Sequence, residues 1–192
     1  MKIVFATHNP NKVREINAML GDSVEIVGLE DIGCTKEIPE TQKTIQGNAL
    51  QKARYVKRNF KMDCFSEDTG LEVDALHGEP GVITARYAGP ARDANANMAK
   101  VLGKLMGQED RGAQFRTVIA LILDGKEYTF EGIARGHIAT DKQGGKGFGY
   151  DPIFIPEGYE KTFAELSAEE KNRISHRGKA TEQLKAFLAE YK

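Results

Sequence analysis

The dipeptide Asp124-Gly125 joins two long segments that both read as strand, and it constrains the fold of this chain more than any other pair of residues. Ala113 to Leu123 is a long apolar run, Lys126 to Arg135 alternates back, and Asp-Gly is a two-residue hairpin signal. An antiparallel ribbon must therefore enter whatever sheet the rest of the chain builds. Elsewhere strand and helix alternate. Ile3 to Ala6 is a short apolar run of the kind found in buried strands, and Val13, Ile16, Met19 and Leu20 recur at helical spacing up to Gly21. Val24 to Val27 alternates as a strand, while Ile45, Ala49, Ala53, Val56 and Phe60 line one face of a helix from about Thr44. Cys64-Phe65 and Leu71-Glu72-Val73 read as strand on either side of Ser66 to Gly70, and Gly78 to Gly81 reads as a turn. Met98, Val101, Leu102 and Leu105 form another helix face. Ile153 to Ile155 is a further short strand, and Leu184, Phe187, Leu188 and Tyr191 mark a terminal amphipathic helix. The expectation is an α/β fold with a mixed sheet surrounded by helices.

A chain of 192 residues is long enough for one well-buried domain, or one domain with two lobes. Its 27 Lys and Arg against 28 Asp and Glu leave a formal net charge of -1, so no global field recruits nucleic acid. A polyanionic partner must be small and locally bound. Cys34 and Cys64 in an otherwise Cys-poor sequence fit a reducing compartment, and the cytoplasm is the expected location. Met1 to Ala6 is no signal peptide, and no apolar span approaches membrane length.

Ser66-Glu67-Asp68-Thr69-Gly70-Leu71 sets two adjacent carboxylates at the end of an apolar run. Adjacent like charges raise one another's pKa unless a cation binds beside them, and paired hard oxygens suit magnesium. Taken alone, the same stretch also reads as an acidic turn. Thr7-His8-Asn9-Pro10-Asn11-Lys12 joins the first strand to the first helix, with Asn9 as N-cap and Pro10 in the first helical position. Lys12 lies in the first turn, where the macrodipole disfavours a cation unless an anion such as phosphate shares the site; a solvated lysine after a capped turn reads as well.

Gly147 to Pro152 interleaves aromatics with glycines, a composition that lets backbone approach a flat ligand while a ring stacks on it, or that packs Phe148 and Tyr150 into the core. Ser167 and Glu170 form a capping-box pattern ahead of Lys171. His176 and Arg177 lie at the positive end of the last helix. Lys171 and His176 can converge only if the helix breaks between them. The scarcity of Cys and His argues against zinc.

Together, Thr7 to Lys12, Glu40-Thr41, Asn48 to Ala53, Ser66 to Leu71, Pro80-Gly81, Ala85-Arg86-Tyr87, Phe148 to Pro152 and Ile174 to Arg177 closely resemble the non-canonical purine nucleoside triphosphate pyrophosphatases, the inosine/xanthosine triphosphate pyrophosphatase family. The likeness covers nearly the whole chain in the same order. It implies an elongated mixed sheet flanked by helices, in two lobes with a central cleft. It also implies a magnesium-dependent homodimer that cleaves ITP, dITP or XTP to the monophosphate and pyrophosphate, cleansing the nucleotide pool. A pyrophosphatase for pyrimidine or modified-base triphosphates is the nearest alternative, and a nucleotide-binding regulator without turnover another.

Carried over by resemblance, Asp68 would be the proton acceptor and a magnesium ligand, and Glu40 a second ligand. Thr69 would touch substrate. Thr7, His8, Asn9, Pro10, Asn11, Lys12 and Lys52 would hold the triphosphate, and Phe148, Gly149, Tyr150, Asp151 and Lys171 the nucleoside. His176 and Arg177 would meet the base edge. Two positions depart from the family pattern: His8 stands where many relatives have Gly, and Gly47 where many have Glu.

Overall fold

The computed structural model describes residues 1–191. Six strands, β1 (Lys2–Phe5), β2 (Glu25–Val27), β3 (Cys64–Val73), β4 (Gly112–Leu123), β5 (Lys126–Ile138) and β6 (Phe154–Pro156), form one sheet in the order β2-β1-β3-β4-β5-β6. β1 runs parallel to both β2 and β3, and β6 is antiparallel to β5, so the sheet is mixed. At the hairpin, Asp124 and Gly125 have φ of 49° and 75°, the doubly positive geometry that a two-residue connection with matched twist requires.

The helices are α1 (Pro10–Leu20), α2 (Ile45–Phe60), α3 (Ala94–Lys104), α4 (Ala168–Ile174) and α5 (His176–Glu190), with short 3-10 segments between elements. Their ends follow the local chemistry. Asn9 caps α1 with Pro10 in its first turn, and Gly21 at φ 58° closes it. Thr44 caps α2, and Ser167 caps α4 by accepting from Glu170 N. Ser175, extended at φ -72° and ψ 159°, separates α4 from α5, the break that convergence of Lys171 and His176 demands.

The structure departs from the sequence expectation in three places. β3 passes unbroken through Ser66 to Gly70, so the two carboxylates lie inside a strand and are neither a turn nor a strand end. Pairing with β1 on one side and β4 on the other overrides the local turn propensity of Asp-Thr-Gly. β5 continues past Arg135 to Ile138, because Gly136 to Ile138 pair with β6. Ile153 ends a 3-10 turn begun at Asp151, which moves β6 one residue onward.

The chain divides into two compact units, each assembled from separate stretches. Unit 1 comprises residues 1–68, 117–132 and 177–192; unit 2 comprises residues 69–116 and 133–176. Each has its own core. In unit 1, Ile3, Phe5, Phe65, Ile119 and Leu121 of the strands pack with Ile16 and Leu20 of α1 and Leu184 of α5, all at most 1% exposed. In unit 2, Leu71, Val73 and Phe115 pack with Val101, Leu105, Phe154 and Phe163.

Candidate active site

In unit 1, four elements and one loop bring acids and bases together: β3 carries Glu67 and Asp68, α1 Lys12 and Glu15, α2 Lys52, α5 Arg177, and the loop before α2 Glu40. Successive strand residues point to opposite faces, so the adjacent carboxylates separate and each finds its own cations. Glu67, fully buried, accepts from Arg177 Nε at 3.2 Å and Nη2 at 3.1 Å, and its Oε2 lies 3.5 Å from Lys12 Nζ. Asp68 Oδ1 lies 3.4 Å from Lys52 Nζ, which also donates to Glu40 Oε1 at 2.6 Å and to Glu67 O at 2.8 Å. The two carboxylates thus have different nearest cations, Arg177 for Glu67 and Lys52 for Asp68.

Burial raises the Asp68 pKa above the usual carboxylate range, against the opposing pull of Lys52 and Lys12. Its Oδ2 is buried without a hydrogen-bond partner. Burial also lowers the Lys12 pKa despite Glu67 beside it, whereas for Lys52 the charges of Asp68 and Glu40 outweigh burial and hold it above its ordinary value. In Arg177, Glu67 and Glu15 more than offset desolvation, so the guanidinium stays charged. Arg177 thus donates into the acid network in unit 1 and does not join His176, whose ring in unit 2 stacks on Phe115 at 4.4 Å. The dipeptide read as one base-contacting element is divided between the units.

The loop from Thr7 to Lys12 is held by its own side chains. Asn9 Oδ1 accepts from Asn11 N and Lys12 N, and Thr7 Oγ1 accepts from Asn9 N. Two first-turn amides are consequently occupied by the Asn9 cap that the sequence leads one to expect. Exposed His8 donates from Nε2 to Lys36 O at 3.1 Å.

The motif Asn48 to Ala53 has a structural logic invisible in its composition. Asn48 Oδ1 accepts from Gln42 N, while Gln51 exchanges hydrogen bonds with Thr41 N and Thr41 Oγ1, all at 2.9 Å. These contacts latch the loop carrying Glu40 onto α2. Gly47 belongs to the same latch: a Cβ there would meet Gln42 Cβ at 2.8 Å and Thr44 Oγ1 at 2.9 Å.

In unit 2, Asp151 Oδ2 accepts from Phe148 N at 2.9 Å and from Lys171 Nζ at 2.7 Å, and Lys171 Nζ lies 4.8 Å from the Phe148 ring centroid. Gly147 at φ 71° and Gly149 at φ 60° fold this loop, and a Cβ on Gly147 would fall onto the Asp151 carboxylate. Tyr150 belongs to the core, donating its hydroxyl to Thr84 O at 2.6 Å; Phe148 remains half-buried. Thr69, half-buried, is the first residue of unit 2.

Among the described residues, no cluster of three or more His, Cys, Asp or Glu could hold a metal by itself, and no helix is long and apolar enough to cross a membrane. A cation bound at Asp68 and Glu40 would therefore take its other ligands from substrate and water, the usual habit of magnesium. The partnerless Asp68 Oδ2 and the hard-oxygen donors fit such an ion. Sequence reasoning missed Glu15, one turn beyond Lys12 on the same helix face. The spacing alone was the available signal.

A sequence model of the Ham1 family matches residues 3–187. The chain is 58% identical over 184 residues to the dITP/XTP pyrophosphatase of Flavobacterium johnsoniae, covering 96% of each, and 44% identical over 189 residues to that of Bacillus subtilis, again covering 96% of each. Its fold superposes on the Ham1 protein of Staphylococcus aureus with a TM-score of 0.92 at 38% identity over the full length of both chains. The nucleoside-triphosphatase / dITP/XTP pyrophosphatase of Mycobacterium abscessus matches with a TM-score of 0.79 at 44% identity, covering 96% of this chain and 98% of that one.

Proposed function

The chain belongs to the Ham1 family, and on that premise we propose that it hydrolyses dITP, ITP and XTP between the α- and β-phosphates, giving the monophosphate and pyrophosphate. The observation that carries the chemistry is Asp68: a buried carboxylate with a raised pKa and one partnerless oxygen, with Lys52 at 3.4 Å and the charge of Lys12 acting on it. Such a group accepts a proton from an attacking water more readily than an ordinary surface acid. Lys12, Lys52 and the loop from Thr7 to Asn11 bind and orient the triphosphate, which is most of what phosphoryl transfer needs. Glu40 and Asp68 would hold magnesium, which when bound neutralises charge on phosphate oxygens.

Phe148 offers a half-buried ring to the purine, with Gly149, Tyr150 and Asp151 shaping the loop around it, and Lys171 is held by Asp151 for the nucleoside. Thr69 and His176 complete the substrate contacts, while Arg177 serves through Glu67. Rejection of adenine follows if donors matched to a 6-keto oxygen are left unpaired by a 6-amino group. By resemblance the enzyme works as a homodimer, and two buried free thiols support the cytoplasm as its location.

Incubation with magnesium and a panel of purine and pyrimidine triphosphates, followed by product separation, tests the reading. Monophosphate and pyrophosphate from dITP, ITP and XTP ahead of ATP and dCTP is the expected result. Diphosphate and inorganic phosphate would contradict it.

A further inference from the structure

Glu15 has a place in the acid network that none of the roles above uses. It follows Lys12 by three residues on α1, and its side chain is 15% exposed. Its Oε2 accepts from Arg177 Nη1 at 2.6 Å, against 3.1 and 3.2 Å for the two contacts of that guanidinium with Glu67. Glu67 in turn is the carboxylate nearest Lys12, at 3.5 Å. We propose that Glu15 is a positioning residue for the triphosphate, holding Arg177 so that Glu67, and through it Lys12, keeps its place. The inference rests on the reading of Lys12 as a phosphate-binding residue.

Two features of the geometry support it. Lys12 and Arg177 both draw on Glu67, and Glu15 brings the cluster to two anions for two cations. Without it, Arg177 and Lys12 both lean more heavily on Glu67 Oε2, where the 3.5 Å contact of Lys12 is longer and weaker than the 3.2 Å one of Arg177 Nε. Lys12 and Glu15 also project from one face of the same helix, so α1 fixes the separation of the phosphate-binding lysine from its distant anchor. Arg177 closes the loop from α5, 162 residues beyond Glu15 in sequence.

A double-mutant cycle tests the relay, using calorimetric binding of an α,β-methylene analogue of dITP and of dIMP to wild type, Glu15→Ala, Lys12→Ala and the double variant. Glu15→Ala should weaken the triphosphate analogue about tenfold, leave dIMP within about twofold, and add less than about twofold when Lys12 is already alanine. Equal weakening of both ligands, or a full tenfold loss in the Lys12→Ala background, would overturn the relay. Lys12→Ala binding the triphosphate like wild type would instead overturn the phosphate reading beneath it, a distinct outcome. Glu15→Gln, which keeps an oxygen for Arg177 but removes the charge, is carried through the same cycle with an expected loss of about threefold. It decides the question if the alanine variant does not fold; no loss with glutamine would then overturn the proposal.

Discussion

Lys52 and Lys171 have side chains 8% and 5% exposed, and each reaches a buried aspartate. Their surroundings differ. In unit 2, Asp151 Oδ2 takes both Lys171 Nζ and Phe148 N, and the lysine lies within 6 Å of two aromatic rings, Phe148 at 4.8 Å and Phe163 at 5.9 Å. In unit 1, Lys52 makes its shortest contact with Glu40 and stands 3.4 Å from Asp68, whose other oxygen has no partner. Buried polar groups are normally satisfied, and an exception calls for an explanation. The saturated pair holds a loop in shape beside a ring; the unsaturated one leaves a buried acceptor with bonding capacity to spare.

Exchanging charge for amide should separate the two pairs most widely. Asp68→Asn is expected to cut turnover by about 10³-fold or more with the fold intact, the loss that the proposed general-base role entails. Asp151→Asn, which keeps an acceptor for Phe148 N, should cost far less; comparable losses in pyrophosphate release would erase the distinction. Next is Arg177→Met, which strands Glu67 and Glu15 without their guanidinium and should lower the unfolding free energy by about 3 kcal/mol in urea titrations.

Gly147→Ala sharpens the comparison from the unit 2 side. It forces a side chain onto Asp151 at a positive φ, an expected stability cost of about 1–3 kcal/mol. It should raise KM for dITP while inhibition by pyrophosphate, assigned to the unit 1 lysines in the proposed function, stays unchanged. The smallest effect concerns Cys64, whose thiol burial pushes up to about 12 from 9.0. The folded state holds this proton while the unfolded chain releases it near pH 9, so stability falls as pH rises through the interval between the two. From pH 9 to 10, wild type should lose about 1 kcal/mol more than Cys64→Ala. Equal losses would mean that the thiol is not sequestered.

What could be read from sequence was what short-range chemistry decides. Asn9, Pro10 and Gly21 bound α1, Thr44 opens α2, and Asp124-Gly125 turns the hairpin, each through contacts within a few residues. The acid pair went astray because turn propensity is local whereas the pairing of β3 with β1 and β4 is not. Likewise, Phe148 and Tyr150 look alike in a glycine-rich run. Thr84 and the apolar side chains of unit 2, distant in sequence, make Tyr150 a core residue. The partners of Glu67 and Asp68 lie on separate elements, and nothing in the order of residues says which cation meets which acid. For Arg177, its place at a helix start does not say which anion it meets. The anions were Glu67 and Glu15.

The distance along the chain between Glu67 and Arg177 also has a meaning in time. The carboxylate leaves the ribosome 110 residues before the guanidinium that neutralises it, whereas both stretches of unit 2 are complete by residue 176. During synthesis, Glu67 thus has Lys12 beside it well before the guanidinium of α5 arrives. Nascent chains halted before residue 177 should contain the whole of one unit and a protease-sensitive remnant of the other.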